Sequence, residues 1–217
     1  MKQYCGAVND SSRKDALITA FHSLDQIESS IWKGLSLAPT EVLHPWRLPA
    51  LGTNSEEGCE LRTVVLRSCD AATRTLYAHT DLRSPKVLQV EQHSRTCWLF
   101  YHPEQRTQLR IIGRTQIHHQ DTVADQFWTE SDPTSLNLYR APHPPGTVQP
   151  GPDPNLPLEI RGRKLSREEV EPGRDIFVVM ATRIESIDWL RLDQAGSLRA
   201  LFKWDDENQR TANWISP

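Results

Sequence analysis

Between residues 133 and 157 the chain places eight prolines: Pro133, Pro142, Pro144, Pro145, Pro150, Pro152, Pro154 and Pro157. Each proline fixes φ at about −65° and lacks the amide hydrogen that a helix interior or an inner strand uses. Regular structure is therefore forbidden across much of residues 131–172. A stretch of that length is a disordered loop, a lid or a segment that contacts a second subunit. The ordered elements have to come from the residues on either side.

Upstream, residues 13–34 read as a helix. Leu17, Phe21, Leu24, Ile27, Ile31 and Leu35 recur at three- and four-residue steps. Asp10, Ser11 or Ser12 supplies the cap, and Gly34 and Pro39 mark the end. Residues 42–120 hold strands with one intervening helix. Residues 96–101 look like a strand of the buried type, followed by a turn at 102–105 and a second strand over 106–118. A short helix over 122–128 precedes the prolines, and residues 174–204 read as two or three strands. There is no repeated strand–helix–strand rhythm. The expected fold is therefore mostly β (α+β), an antiparallel barrel with peripheral helices rather than a doubly wound parallel sheet. A chain of 217 residues suits a single domain over 1–217. Its 37% hydrophobic content points to a modest core, or to apolar surface buried between subunits.

Several function classes fall away. With 25 basic and 28 acidic residues the net charge is −3, which calls for neither nucleic acid nor an anionic membrane. No apolar run approaches a membrane span. The start, Met1-Lys2-Gln3-Tyr4-Cys5-Gly6, lacks the apolar stretch of a signal peptide, and Lys2 stands where myristoylation needs glycine. A cytoplasmic location is expected. Cys5, Cys59, Cys69 and Cys97 make no CxxC pair and no zinc spacing, and Cys97 reads as a small core residue. GxGxxG, GxxxxGK[ST] and HExxH are all absent. His118 and His119 precede Asp121, but neighbours on a strand point to opposite faces, so no metal site is expected. Trp32 and Trp128 fall on helix faces and read as packing residues.

The chemistry concentrates in two motifs. Arg62-Thr63-Val64-Val65-Leu66-Arg67 is a short apolar run with an arginine at each end. His79-Thr80-Asp81-Leu82-Arg83-Ser84-Pro85-Lys86 leaves a strand, turns and opens a helix. Ser84 suits the N-cap, Pro85 the first helical position, and Lys86 follows within the first turn. Free amides, a hydroxyl and a lysine at a helix N-terminus suit a phosphate, and a strand arginine can add bidentate bonds. On these residues alone, a solvated strand before an ordinary helix start stays open. Arg62 and Arg67 also point to opposite faces of an ideal strand. Both reach one ligand only if the strand bulges or ends near Arg67, or if the ligand wraps the rim.

Further along stand Gln108-Leu109-Arg110-Ile111-Ile112-Gly113 and Ile187-Asp188-Trp189-Leu190, with Arg199 ten residues after Trp189 and then Phe202. In this order and spacing the chain resembles the FMN-binding split barrel of the pyridoxamine 5′-phosphate oxidase family. It is most similar to the branch of oxidase-like proteins first noted in cyanobacterial genomes. The resemblance covers residues 40–120 and 175–204. It implies a homodimer with FMN at the subunit interface. Arg62, Ser84 and Lys86 would hold the phosphate, with His79 and Thr80 at phosphate and ribityl. The backbone of Thr63, Val64, Val65 and Leu66 would line the ring, and Arg67 would lie by its reactive part in the catalytic role. Gln108 would bond the polar edge, and Trp189 and Arg199 would come from the other subunit.

Departures from the family pattern bear on the substrate. The family's Arg-Lys pair after the serine is Pro85-Lys86, and His79 replaces a tyrosine. An Arg-x-His element that grips the vitamin corresponds to Ala195 and Ser197, and a Gln-Ser pair to His143-Pro144. The resemblance thus implies an FMN-dependent oxidoreductase acting on an unidentified small molecule. The alternatives are a genuine pyridoxamine/pyridoxine 5′-phosphate oxidase and a non-catalytic flavin- or haem-binding protein.

Overall fold

The computed structural model describes residues 23–217. The caps at Asp10, Ser11 and Ser12, the helix positions Leu17 and Phe21, and Cys5 lie outside the described residues. The first described helix, α1 (Leu24–Leu37), is capped by Ser23, whose hydroxyl accepts from the Gln26 N–H at 3.2 Å. Ile27, Ile31 and Leu35 are fully buried on one face, as their spacing predicts. The helix does not stop at Gly34. A Cβ at that position would lie 2.4 Å from the Trp46 ring, so Gly34 is there to admit a tryptophan against the helix.

Nine strands follow among the described residues: β1 (Ala50–Ser55), β2 (Gly58–Thr63), β3 (Ser68–Asp70), β4 (Thr75–Asp81), β5 (Arg95–His102), β6 (Thr107–His118), β7 (Phe177–Arg191), β8 (Leu198–Trp204) and β9 (Arg210–Ile215). They form one antiparallel sheet in the order β2-β1-β5-β6-β7-β4-β3, with β8 on β7 and β9 on β8. The 15-residue β7 is the branch point. Its first half pairs with β4 and its second half with β8, while β6 runs beside both. The sheet bends around a core without closing, which is the split-barrel architecture expected. At the branch, Gly113 is required because a Cβ there would sit 2.3 Å from the Arg183 carbonyl oxygen.

Two local expectations are corrected. Residues 62–67 are not one strand: β2 ends at Thr63, and the chain then crosses to the far end of the sheet. On the way the N–H groups of Val64, Leu66 and Arg67 donate to the carbonyls of Pro49, Arg47 and Tyr77. Residues 96–101 are buried on one face only. Thr96, Trp98 and Phe100 face the core, while Cys97, Leu99 and Tyr101 face outward, so Cys97 is half-buried on the outer side.

The inner face holds the larger core, with Leu51, Trp98, Phe100, Leu109, Ile187 and Trp189 closed over by α1 and α2 (Pro85–Gln92). A second core lies against Phe177 and Val179 of β7. It is built by α3 (Thr122–Glu130), α4 (Pro133–Leu136), α5 (Arg167–Val170) and short 3₁₀ turns, and it buries Trp128, Tyr139, Ile160 and Leu165. The two flanks of the proline-rich segment are therefore folded, while residues 142–155, with six of the eight prolines, form no helix or strand and are mostly exposed. Pro133 takes the first turn of α4, where its missing N–H costs nothing. No described helix is long and apolar enough to cross a membrane.

Candidate functional site

At the start of α2, Pro85 sits in the first turn as expected, and Ser84 has the extended backbone of an N-cap (φ −72°, ψ 137°). Its hydroxyl makes no capping bond, however. It accepts from Lys86 Nζ at 2.5 Å, and Lys86 Nζ also donates to Thr80 Oγ1 at 3.0 Å. The ammonium thus folds back beside a helix end that no side chain caps. It is half-buried, and among the described residues it has no carboxylate in ion-pair contact. Burial, and then Arg62, lowers its pKa, with Asp81 and Glu60 opposing. A cation held by two neutral hydroxyls at a helix N-terminus is stabilised by any anion that can reach it.

Arg62 belongs to the same neighbourhood but is already engaged. Its guanidinium donates to Thr53 Oγ1, to the Glu60 carbonyl at 2.9 Å and carboxylate at 3.0 Å, and to Gln89 Oε1 at 3.3 Å. Gln89 in turn donates to Glu60 Oε1 at 2.6 Å. This polar knot joins β1, β2 and α2 and makes Arg62 a buttress beside Lys86. Gln89 lies outside both sequence motifs. Its place between Val87 and Val90 on the buried helix face was the available signal.

Thr80 faces the inner side with Lys86, and His79 faces the other way. The His79 ring packs edge-on against Phe127 and Phe177, with centroids at 5.3 and 4.8 Å. Its Nε2 is buried without a partner. Burial, reinforced by Arg67, pushes the imidazole down to about 3, so it is neutral near pH 7. Arg67 is half-buried, and no carboxylate is in ion-pair contact with it among the described residues. Burial lowers its pKa; Tyr139 opposes that shift and Arg47 adds to it. Burial likewise pushes the Tyr139 phenol up. Arg67 is thus the charged member of this trio, beside the neutral His79 ring and the Tyr139 phenol, on the face of β4 opposite Thr80.

Gln108 and Arg199 meet elsewhere, flanking Leu190 in adjacent strands on the outer face of the sheet. Arg199 clasps Asp188 through two bonds of 2.9 and 2.7 Å, and Arg110 donates to the same carboxylate. Burial raises the Asp188 pKa, but these hydrogen bonds prevail and hold it below the usual carboxylate range. Trp189 points the other way, into the inner core, and is 2% exposed. Thr63 lies on the outer face, Val64 and Val65 are half-buried, and Leu66 is fully buried. Ala195 and Ser197 sit in the β7–β8 turn, where the Ala195 N–H donates to Asp193. His118 contacts the Asp121 carboxylate, and His119 Nε2 contacts the Asp175 carbonyl. Among the described residues no cluster of three or more His, Cys, Asp or Glu is placed to hold a metal.

Residues 32–119 match the family model described as pyridoxamine 5′-phosphate oxidase, FMN-binding domain. Among solved structures, an FMN-binding protein from Nostoc punctiforme related to pyridoxamine 5′-phosphate oxidase superposes with a TM-score of 0.66 at 22% identity, covering 90% of this chain and 99% of that one. PhzG from Burkholderia lata superposes at 0.60 with 15% identity, over 89% and 90% of the two chains. A protein from Clostridium acetobutylicum related to general stress protein 26 gives 0.50 at 16% identity, over 84% and 96%. The family-model match bears out the resemblance over residues 32–119, and the superpositions bear out the split-barrel fold. No curated protein matches the chain.

Proposed function

Starting from the match of residues 32–119 to the FMN-binding domain of the pyridoxamine 5′-phosphate oxidase family, we propose that this protein binds FMN as a homodimer and works as a flavin-dependent oxidoreductase. The observation that carries the reading is Lys86, an ammonium with only hydroxyl partners at a helix N-terminus that no side chain caps. Lys86, Thr80 and Ser84 would hold the phosphate, with Arg62 as a second positive charge fixed by Glu60 and Gln89. When bound, FMN supplies hydride and electron transfer. The chain's part is to place positive charge where negative charge develops. Arg67, half-buried and without a carboxylate in ion-pair contact, suits that role. Neutral His79 beside it adds no competing charge at neutral pH.

The substrate is proposed to be something other than pyridoxamine 5′-phosphate. Ala195 and Ser197, at the positions of the family's vitamin clamp, bring no cation or imidazole. Losing a bidentate phosphate contact costs a few kcal/mol, on the order of a hundredfold in binding. Aerobic turnover of pyridoxamine 5′-phosphate by FMN-loaded protein tests this. The expected kcat/KM falls below about 10⁴ M⁻¹s⁻¹. A value above that would restore the vitamin as substrate.

A further inference from the structure

Residues 80–86 bond in two directions. Thr80, Ser84 and Lys86 bond one another at the proposed phosphate site. Asp81 and Arg83, interleaved with them, bond elsewhere. The Asp81 carboxylate is buried and accepts from the Arg83 backbone N–H at 2.8 Å, from its Nε at 3.0 Å and from its Nη2 at 2.7 Å. Held this way, the Arg83 guanidinium reaches the proline-rich segment. Nη2 donates to the Ala141 carbonyl at 2.9 Å and Nη1 to the Pro142 carbonyl at 3.4 Å. Just before these carbonyls, Tyr139 is buried between Trp128 and Phe177, and Arg140 donates to the Glu169 carbonyl. The Ser84 N–H donates to the Asp81 carbonyl at 3.0 Å, so the turn carrying the phosphate ligands is built on the residue that orients Arg83.

We propose that Arg83 is a positioning residue that seats residues 141–142 on the turn carrying Lys86, so that an anion at Lys86 and the seating of the proline-rich segment stabilise each other. The inference rests on the phosphate reading of Lys86. Coupling of this kind is reciprocal: if the anion holds the segment, the segment holds the anion by the same factor. A brace with no coupling would steady the segment equally with and without ligand.

The test is hydrogen exchange of residues 137–143 with and without saturating FMN, alongside the FMN dissociation rate. In the unmodified protein FMN should slow exchange of this segment by about tenfold. Arg83→Ala should still bind FMN, lose that slowing, and release FMN faster by a similar factor. Arg83→Lys should not restore it, because a lysine offers Asp81 a charge but no planar fork for two carbonyls. If Arg83→Ala does not fold, Arg83→Lys carries the same comparison. FMN binding with equal slowing in variant and unmodified protein would overturn the coupling alone. Absence of any FMN binding to the unmodified protein would overturn the phosphate reading, and this inference with it.

Discussion

Two cations near the head of α2 look alike in the sequence and differ in what surrounds them. Arg62 has its guanidinium bonds filled by Thr53, Glu60 and Gln89, so removing it also disturbs the knot that joins β1, β2 and α2. Lys86 is held only by hydroxyls, which makes it the cleaner probe of ligand binding. His79 carries a pH signature of its own. Its pKa is about 3 in the folded chain against about 6.5 in the unfolded one. Below pH 6.5 the unfolded chain takes up a proton that the folded chain refuses, so stability falls as pH drops from 6.5 towards 3. The slope from this group approaches about 1.4 kcal/mol per pH unit. Urea denaturation at pH 7 and pH 5 should show that loss in the native protein and a smaller one in His79→Phe. Equal losses in both would show that His79 is not what the acid attacks.

The first helix shows what periodicity can and cannot reveal. Ile27, Ile31 and Leu35 gave its buried face, but Gly34 looked like a terminator and is a packing residue under Trp46. Gly34→Ala should improve helix propensity by roughly 1 kcal/mol and lose more than that through the clash with the indole, for a net destabilisation of about 1–2 kcal/mol. Thermal denaturation checks this, and a raised midpoint would mean that Trp46 moves aside freely. The strands on either side of the prolines were legible because β-branched and aromatic runs are bounded by turn residues. The run from Thr63 to Leu66 misled because its composition is strand-like, while its path is set by the need to leave β1 and reach β4. Ser84, Pro85 and Lys86 were readable as a unit since they are adjacent. The ties from Arg62 to Gln89 and from Arg83 to Ala141 join distant segments, and no local pattern announces them.

The folded chain covers its sheet unevenly. The second core shields β4 and the start of β7, yet the outer face of β2, β1, β5 and β6 is open, with Leu61 71%, Leu99 40% and Tyr101 46% exposed. Gln108 and Arg199 share the outer surface, whereas Arg62, Thr80 and Lys86 lie towards the inner side. One flavin touching both sets draws on two copies of the chain, and this supports the homodimer proposed above. Sedimentation should therefore give a dimer, and Leu99→Asp should weaken both the dimer and FMN retention. A monomer that holds FMN undiminished would remove this part of the account. The central claim is that Lys86 and its hydroxyl partners recognise a flavin phosphate, and it is tested by equilibrium binding of FMN against riboflavin. The two ligands differ only in that phosphate. The native protein should prefer FMN by about a hundredfold, and Lys86→Ala should cut the preference to within about tenfold while leaving riboflavin affinity unchanged. Equal affinity for the two flavins, or a preference that survives Lys86→Ala intact, would contradict it.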